Sequence, residues 1–139
     1  MSDRSDPLEL LQLIRLKLLE SSDITDLVGE RVHTSHYMDF DDVTRQLPCI
    51  ILELAGGDMA YNQKLQQTTV YIYAYSSQNS AETLNVYHKC TLALHAQRIM
   101  HESLTLKGLM EETTRPISGY NDKVRSWYCR GSFIALMVG

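Results

Sequence analysis

Apolar residues near the start of the chain recur at the spacing of an α-helix. They are Leu8, Leu11, Ile14, Leu18 and Leu19. Asp6 can cap this helix and Pro7 suits its first position, so the pattern predicts a helix from Pro7 to about Glu20. A short second helical turn follows, which Ser22–Asp23 can cap and which Gly29 is expected to end in a left-handed conformation.

The middle of the chain carries two strand patterns. The run Cys49–Leu54 is typical of a buried strand, and the turn-forming residues Ala55–Asp58 follow it. The segment Leu65–Tyr75 alternates with a period of two, as a strand must. One face holds Tyr71, Tyr73 and Tyr75, and the other holds Thr68, Val70, Ile72 and Ala74. We expect these two strands to form a hairpin.

A second long helix and two further strands are predicted after the hairpin. Asn79, with Glu82 at the third helical position, forms a capping-box pattern, and helical apolar spacing continues to about Met100. Alternating segments then predict strands over Leu104–Thr114 and Val124–Val138, separated by a polar connection.

The order helix, hairpin, helix, hairpin predicts an α+β fold. We expect a sheet of about four strands, mostly antiparallel, with two main helices packed on one face. A length of 139 residues with 44% apolar content suits a single domain over residues 1–139. The long polar loop at about residues 33–47 interrupts the periodic pattern, and a loop of this length usually has a function or is poorly ordered.

Charge and hydropathy argue against two functional classes. The net charge is −4 and no Lys/Arg cluster is present, which disfavours a nucleic-acid-binding protein. No apolar run reaches the roughly 18 residues of a membrane helix, and residues 1–6 lack the apolar core of a signal peptide. We therefore expect a protein without membrane contact that is made and kept in a cytoplasm.

Acidic residues are concentrated in one region of the chain. Residues 20–42 carry seven acids against one arginine, whereas residues 98–130 carry six bases against four acids. A solvated acidic surface is the more ordinary explanation. The alternative is that the two patches meet between copies of the protein and steer assembly.

The sequence contains no pattern that specifies catalysis. Cys49, Cys90 and Cys129 lie in three separate apolar segments, so we expect buried free thiols. No serine, threonine or cysteine stands in a motif that would supply a base and an oxyanion donor. We expect neither an enzyme nor a bound cofactor.

The polar loop provides the best set of candidate metal ligands. The set consists of His33, His36, Asp39, Asp41 and Asp42. Imidazole and carboxylate groups could bind a divalent ion if the loop folded around it, but the ligand spacing of a known calcium motif is missing. A polar loop without metal is the preferred interpretation.

Aromatic residues supply the remaining candidates for a functional surface. A row such as Tyr71, Tyr73 and Tyr75 is more often core or helix-covered surface than a ligand platform, and Trp127 enriches the last strand. If the aliphatic face takes the helices, the tyrosine row is left for a protein contact, because tyrosine buries area while its hydroxyl tolerates water. The interface candidates on the polar loop are Asp39, Phe40, Asp41 and Asp42.

The order and spacing of these segments resemble a known protein family. The matching segments are Leu27–Val32 after a leucine-rich helix, Leu47–Ile51 leading a strand, and Thr68–Tyr75 before a Ser/Asn linker. A long helix and a C-terminal hairpin complete the pattern over residues 7–138. In these features the chain is similar to the tail terminator proteins of long-tailed bacteriophages, also called tail-completion or tail-to-head joining proteins.

The resemblance implies a structural role in the tail or neck of a virion assembled in the host cytoplasm. It implies a ring, usually of six copies, that caps the tail-tube protein and joins the tail to the head connector. Genome DNA would pass through the lumen without specific binding. Another neck or head-closure component is one alternative, and a small ferredoxin-like domain that binds a ligand or metal through the His33 loop is another.

Overall fold

The structure is a computed structural model that describes residues 7–34, 48–60, 65–95, 97–101, 104–111, 116–122 and 125–138. Within these ranges the chain forms three helices and seven strands. The helices are α1 (Pro7–Leu19), α2 (Ser22–Val28) and α3 (Ser80–Leu94). The strands are β1 (Val32–His33), β2 (Cys49–Ala60), β3 (Leu65–Ser76), β4 (Gln97–His101), β5 (Leu104–Glu111), β6 (Ile117–Asn121) and β7 (Ser126–Val138). This content confirms the α+β class.

All of these strands belong to one sheet. The strand order is β1-β2-β3-β7-β5-β4, and β6 also pairs with β7. The pairing of β1 with β2 is parallel, and the other pairings are antiparallel. The predicted hairpin of β2 and β3 is confirmed, with Cys49 opposite Tyr75 and Leu54 opposite Val70. The strand β7 is central, because β3 pairs with one of its edges and β5 and β6 pair with the other.

Three short strands raise the number of strands above the expected four. The strand β1 precedes the polar loop, β4 replaces the predicted end of the long helix, and β6 lies in the predicted polar connection. Each pairs with a longer neighbour. Pairing satisfies backbone N–H and C=O groups that would otherwise need other partners, so it outweighs the weak local patterns of these segments.

The turn predicted at Ala55–Asp58 is wrong. The strand β2 continues through these residues to Ala60 and stays paired with β3, with a register shift between Leu54 and Gly56. Glycine inside a strand often accompanies a β-bulge of this kind. The pairing with β3 therefore decides the conformation at a place where the local residues favoured a turn.

The starts of α1 and α3 follow the local sequence more closely than the other helix boundaries do. The Asn79 side chain accepts a hydrogen bond of 2.8 Å from the backbone N–H of Glu82, which confirms this N-cap. The N-cap of α2 is Ser21 instead of Ser22–Asp23, and it makes no side-chain cap hydrogen bond. Gly29 ends α2 with the expected positive φ of 61°, but its ψ of −129° lies outside the left-handed helical region. None of the helices in the described ranges is long and apolar enough to cross a membrane.

The helices cover one face of the sheet, as predicted. The core cluster on this face includes Leu10, Ile14, Leu18, Val70, Ile72, Ala74, Val86, Cys90, Leu94, Phe133 and Ala135. The Tyr87 ring of α3 lies directly over Gly131 of β7, where an added Cβ would be 1.7 Å from the Tyr87 hydroxyl oxygen. Glycine at this position therefore lets α3 pack close to the sheet.

Candidate protein-contact surface

The face of the sheet opposite the helices carries the tyrosine row. Side chains alternate along β3, so Tyr71, Tyr73 and Tyr75 project away from the buried Val70 and Ile72. The strand register places Glu53 and Ser132 beside Tyr71, Arg130 beside Tyr73, and Tyr128 beside Tyr75. We name this surface the tyrosine face, which consists of Glu53, Tyr71, Tyr73, Tyr75, Tyr128, Arg130 and Ser132.

The two ends of the tyrosine face differ in burial. At one end Tyr75 is only 2% exposed and forms a small buried cluster with Cys49 and Ile51. At the other end Tyr71 and Tyr73 are partly exposed, as is Arg130. In the single chain, Tyr75 therefore contributes to packing, and the accessible part of the row is Tyr71 and Tyr73.

The tyrosine rings form a continuous series of aromatic contacts. The Tyr71 and Tyr73 ring centroids are 6.4 Å apart with an edge-to-face arrangement. The Tyr73 ring stacks on Tyr75 at 5.8 Å, and Tyr75 meets Tyr128 at 6.4 Å with tilted rings. Such contacts add roughly 0.5 to 1.5 kcal/mol per pair beyond area burial and hold each ring in a defined orientation.

Two charged side chains flank the accessible tyrosines. The Arg130 guanidinium carbon lies 4.6 Å from the centroid of the Tyr71 ring, a cation–π contact. The Tyr73 hydroxyl donates a hydrogen bond of 3.4 Å to the Glu53 carboxylate. Burial raises the pKa of Tyr73, and its hydrogen bond with Arg130 opposes that rise. Tyr73 therefore stays protonated at neutral pH, and this end of the surface offers aromatic rings with both hydrogen-bond donors and acceptors.

Trp127 is not part of the tyrosine face. Trp127 lies opposite Ser76 of β3 and Tyr120 of β6. Ser76 continues the alternation of Ile72 and Ala74, so Trp127 is on the helix side of the sheet. Its indole ring makes an edge-to-face contact with Tyr120, with ring centroids 5.0 Å apart. Trp127 is partly buried and Tyr120 is 48% exposed, so this pair forms a second aromatic contact on the opposite side of the sheet.

The polar-loop candidates Asp39, Phe40, Asp41 and Asp42, together with His36, lie outside the described residues. His33 is described at the end of β1. Its pKa is lowered by burial and by the charges of Arg15 and Arg31, which disfavour an imidazolium. Arg15 Nε donates to the Val32 carbonyl at 2.7 Å, and Arg31 Nε donates to the Pro48 carbonyl at 2.9 Å. Within the described ranges no three His, Cys, Asp or Glu side chains come together as a metal site.

The three cysteines are buried free thiols, which confirms the prediction made for them. Cys90 and Cys129 lie in the core between α3 and the sheet, and burial raises the pKa of Cys90 to about 12. Cys49 lies on the same side of the sheet as the tyrosine face, in the small buried cluster with Ile51 and Tyr75. A thiol with a raised pKa is a poor nucleophile at neutral pH, so Cys90 packs as a small apolar side chain.

Sequence reasoning missed the charged partners of the tyrosines. Glu53 and Arg130 are 77 positions apart in the chain, and they lie on β2 and β7, the two strands that flank β3. The alternation within β7 could have placed Arg130 on the same face as Tyr128, but only the register of β7 with β3 sets it beside Tyr73.

The acidic side chains Glu20, Asp23, Asp26 and Glu30 are all exposed, as a solvated surface requires.

The comparisons with known proteins identify the fold. No protein-family model matches the chain, and no curated protein matches it. A chain from the virion of a native gene transfer agent (GTA) particle has a similar structure, with a TM-score of 0.69 and 16% sequence identity. The similarity covers 94% of this chain and 95% of the other. At this identity the two chains share a fold from end to end.

Proposed function

We propose that the chain is a structural virion protein that forms a ring on the end of a phage tail tube and joins the tail to the head connector. The observation that carries this proposal is the similarity over 94% of the chain to a component of a gene transfer agent virion. The order of segments that resembles tail terminator proteins supports the more specific role. The match covers both chains almost completely, so it extends to the whole architecture and not to a single common motif.

The surface chemistry supports assembly with other proteins. Tyr71 and Tyr73 leave an aromatic surface partly exposed on the side of the sheet that the helices do not cover. Tyrosine is enriched at protein–protein interfaces because it combines a large apolar ring with a polar hydroxyl. The net charge of −4 suits a lumen that DNA crosses, since clustered Lys and Arg side chains would bind the DNA phosphates. No catalytic role and no cofactor are part of this proposal.

The polar loop is a second proposed contact. Asp39, Phe40, Asp41 and Asp42 combine an aromatic ring with three charges, and we assign them to a contact between subunits or along the lumen. Their three carboxylates suit a partner surface that presents Lys or Arg side chains.

A tail-tube capping experiment tests the proposed function. The purified chain is mixed with tail tubes polymerised from the tube protein of the same virus and viewed by negative-stain electron microscopy. We expect ring-shaped density at one tube end and an arrest of further tube growth. A chain that leaves tube growth unchanged and stays monomeric beside the tubes contradicts the proposal. Copurification with connector proteins alone would favour another neck component.

A matched pair of charge variants tests the polar-loop contact. The triple variant Asp39→Asn/Asp41→Asn/Asp42→Asn should weaken capping, because it removes three charges from the proposed contact. The double variant Asp23→Asn/Asp26→Asn removes exposed charges from α2 and serves as the control. Equal capping by both variants would remove the loop from the proposed interface.

A further inference from the structure

Three basic side chains meet at the edge of the sheet that β1 forms. Arg15 projects from α1, and Arg31 and His33 flank Val32 of β1. The Arg15 guanidinium reaches the Val32 carbonyl, and the charges of Arg15 and Arg31 both act on His33. Because the interaction between charges falls off with distance, the two guanidinium groups lie close to one imidazole. We name Arg15, Arg31 and His33 the basic cluster.

Backbone contacts hold both guanidinium groups in place. Arg15 Nε donates to the Val32 carbonyl at 2.7 Å, and Arg31 Nε donates to the Pro48 carbonyl at 2.9 Å. Arg31 Nη1 also lies against Gly29, where an added Cβ would be 3.3 Å from it. A guanidinium has five N–H donors in one rigid plane, and each of these two bonds uses a single donor. The Nη groups of both arginines are therefore available for a ligand.

Neither arginine has a counter-ion in the part of the chain that the structure describes. The ion pair found there joins Lys17 to Glu20 at 4.0 Å. Arg15 and Arg31 are both partly buried. A charge that is partly removed from water without a partner is unfavourable, and two such charges beside one imidazole also repel each other. An anion that contacts both guanidinium groups would reduce both costs.

The edge at β1 is suited to a side-chain ligand and not to a further strand. The Val32 N–H donates to the Glu30 carbonyl at 2.8 Å, and the Val32 carbonyl accepts from Arg15. Both main-chain groups of Val32 are thus already bonded. The paired N–H donors of a guanidinium match the two oxygens of a carboxylate, and such charge-assisted bonds are strong.

The surrounding charges favour a single carboxylate over a nucleic acid. The segment that precedes β1 carries the exposed acids Glu20, Asp23, Asp26 and Glu30. Duplex DNA carries one negative charge for about every 1.7 Å of its axis, so phosphates next to a bound one would approach these acids. A side-chain carboxylate brings one charge to the basic cluster and leaves the acids solvated.

We propose that Arg15 and Arg31 form a binding site for a carboxylate, which an Asp or Glu side chain of a neighbouring protein subunit supplies. His33 lies beside the bound carboxylate and reports its presence. The neighbouring subunit rests on the proposed function, to which the site adds the chemistry of one contact. The site itself needs no assembly, because a single chain binds a small carboxylate through the same donors.

Titration of the purified chain with sodium acetate tests the site, with sodium chloride at equal ionic strength as the reference. The His33 Hε1 proton is followed by NMR, and the variant His33→Gln identifies its signal among the five histidines. Acetate should raise the pKa of His33 in a saturable manner, because the bound carboxylate offsets the charges of Arg15 and Arg31. Chloride should produce a smaller change that does not saturate.

Substitutions of the two arginines test which groups bind the acetate. Arg15→Gln and Arg31→Gln should each weaken acetate binding by about tenfold, since each removes charge-assisted hydrogen bonds. Arg31→Lys keeps the charge but loses the paired donors, so it should recover only part of the affinity. Lys17→Gln removes a positive charge from the same helix as Arg15 and should bind acetate as the unaltered chain does. Thermal melts check that each variant is folded.

Two further measurements identify the source of the carboxylate. In the tail-tube capping experiment, Arg31→Gln should cap tubes poorly, whereas Lys17→Gln should cap them normally. A short DNA duplex at the same ionic strength should not displace acetate from the basic cluster.

Three results overturn the inference. They are acetate that acts no differently from chloride, an Arg31→Gln chain that binds acetate or caps tubes as well as the unaltered chain, and a DNA duplex that displaces acetate. A chain that binds acetate through both arginines but never caps tail tubes would contradict the proposed function and leave the carboxylate site standing.

Discussion

The two faces of the central sheet differ in burial and in side-chain chemistry. Along β3, Val70, Ile72 and Ala74 are fully buried under the helices, whereas Tyr71 and Tyr73 on the other face stay partly exposed. The helix face excludes water with aliphatic side chains, and the tyrosine face keeps hydroxyls that can exchange water for a partner. The first face therefore supplies stability, and the second is the surface that we propose for contact with other proteins.

Truncation of one residue on each face gives the largest expected contrast. Ile72→Ala leaves a cavity in the closed core and should lower the free energy of unfolding by about 4 kcal/mol. Tyr71→Ala removes a partly exposed ring and its cation–π contact, so it should cost about 1 kcal/mol. Urea denaturation of the two variants checks this. Equal losses would contradict the division of roles between the faces.

Two glycines of the sheet provide a second contrast. Gly131→Ala would place a methyl group within the buried Tyr87 ring of α3, and overpacking should cost about 3 kcal/mol. At Gly119 the nearest atom is the Tyr128 hydroxyl oxygen at 3.1 Å, on the tyrosine face. Gly119→Ala should therefore cost under about 1 kcal/mol, since the ring can yield by a few tenths of an ångström. Thermal melts of both variants measure the difference.

A buried hydroxyl on the helix face should be replaceable with a gain in stability. Thr68 is buried, and its hydroxyl has no hydrogen-bond partner among the described residues. Thr68→Val keeps the shape and removes the unsatisfied group, so it should raise the free energy of unfolding by about 1 kcal/mol. Thr69→Val, on the partly exposed face of the same strand, is the control and should change it by less. A loss of stability in Thr68→Val would indicate a partner for this hydroxyl.

The smallest effects concern the titration of Tyr73. Burial raises its pKa, Arg130 lowers it, and Glu53 raises it. Glu53→Gln should therefore lower the pKa of Tyr73, and Arg130→Gln should raise it further. The phenol binds its proton more tightly in the folded state, so its contribution to stability is complete below pH 10 and is lost as the pH rises through the folded pKa. Ultraviolet difference titration against Tyr73→Phe measures each shift. Shifts of the same sign in both variants would contradict this electrostatic assignment.

The sequence predicted the features that neighbouring residues control. The helix α1, the alternating faces of β3 and the Asn79 cap each depend on residues within a few positions of one another, and all are confirmed. The contact candidates were only partly anticipated. The tyrosine row follows from alternation, but the burial of Tyr75 and the opposite orientation of Trp127 depend on strands that are distant in the chain.

Local sequence patterns by themselves therefore determined the α+β class, the starts of α1 and α3, and the division of β3 into an aliphatic and a tyrosine side. Only the tertiary structure decided that β2 passes through Gly56 without turning, that β6 joins the sheet, and that Arg130 lies on Tyr71. The physical reason is the range of the interactions. Capping and alternation act over a few residues, whereas strand pairing joins backbone groups dozens of positions apart and outweighs weak local preferences.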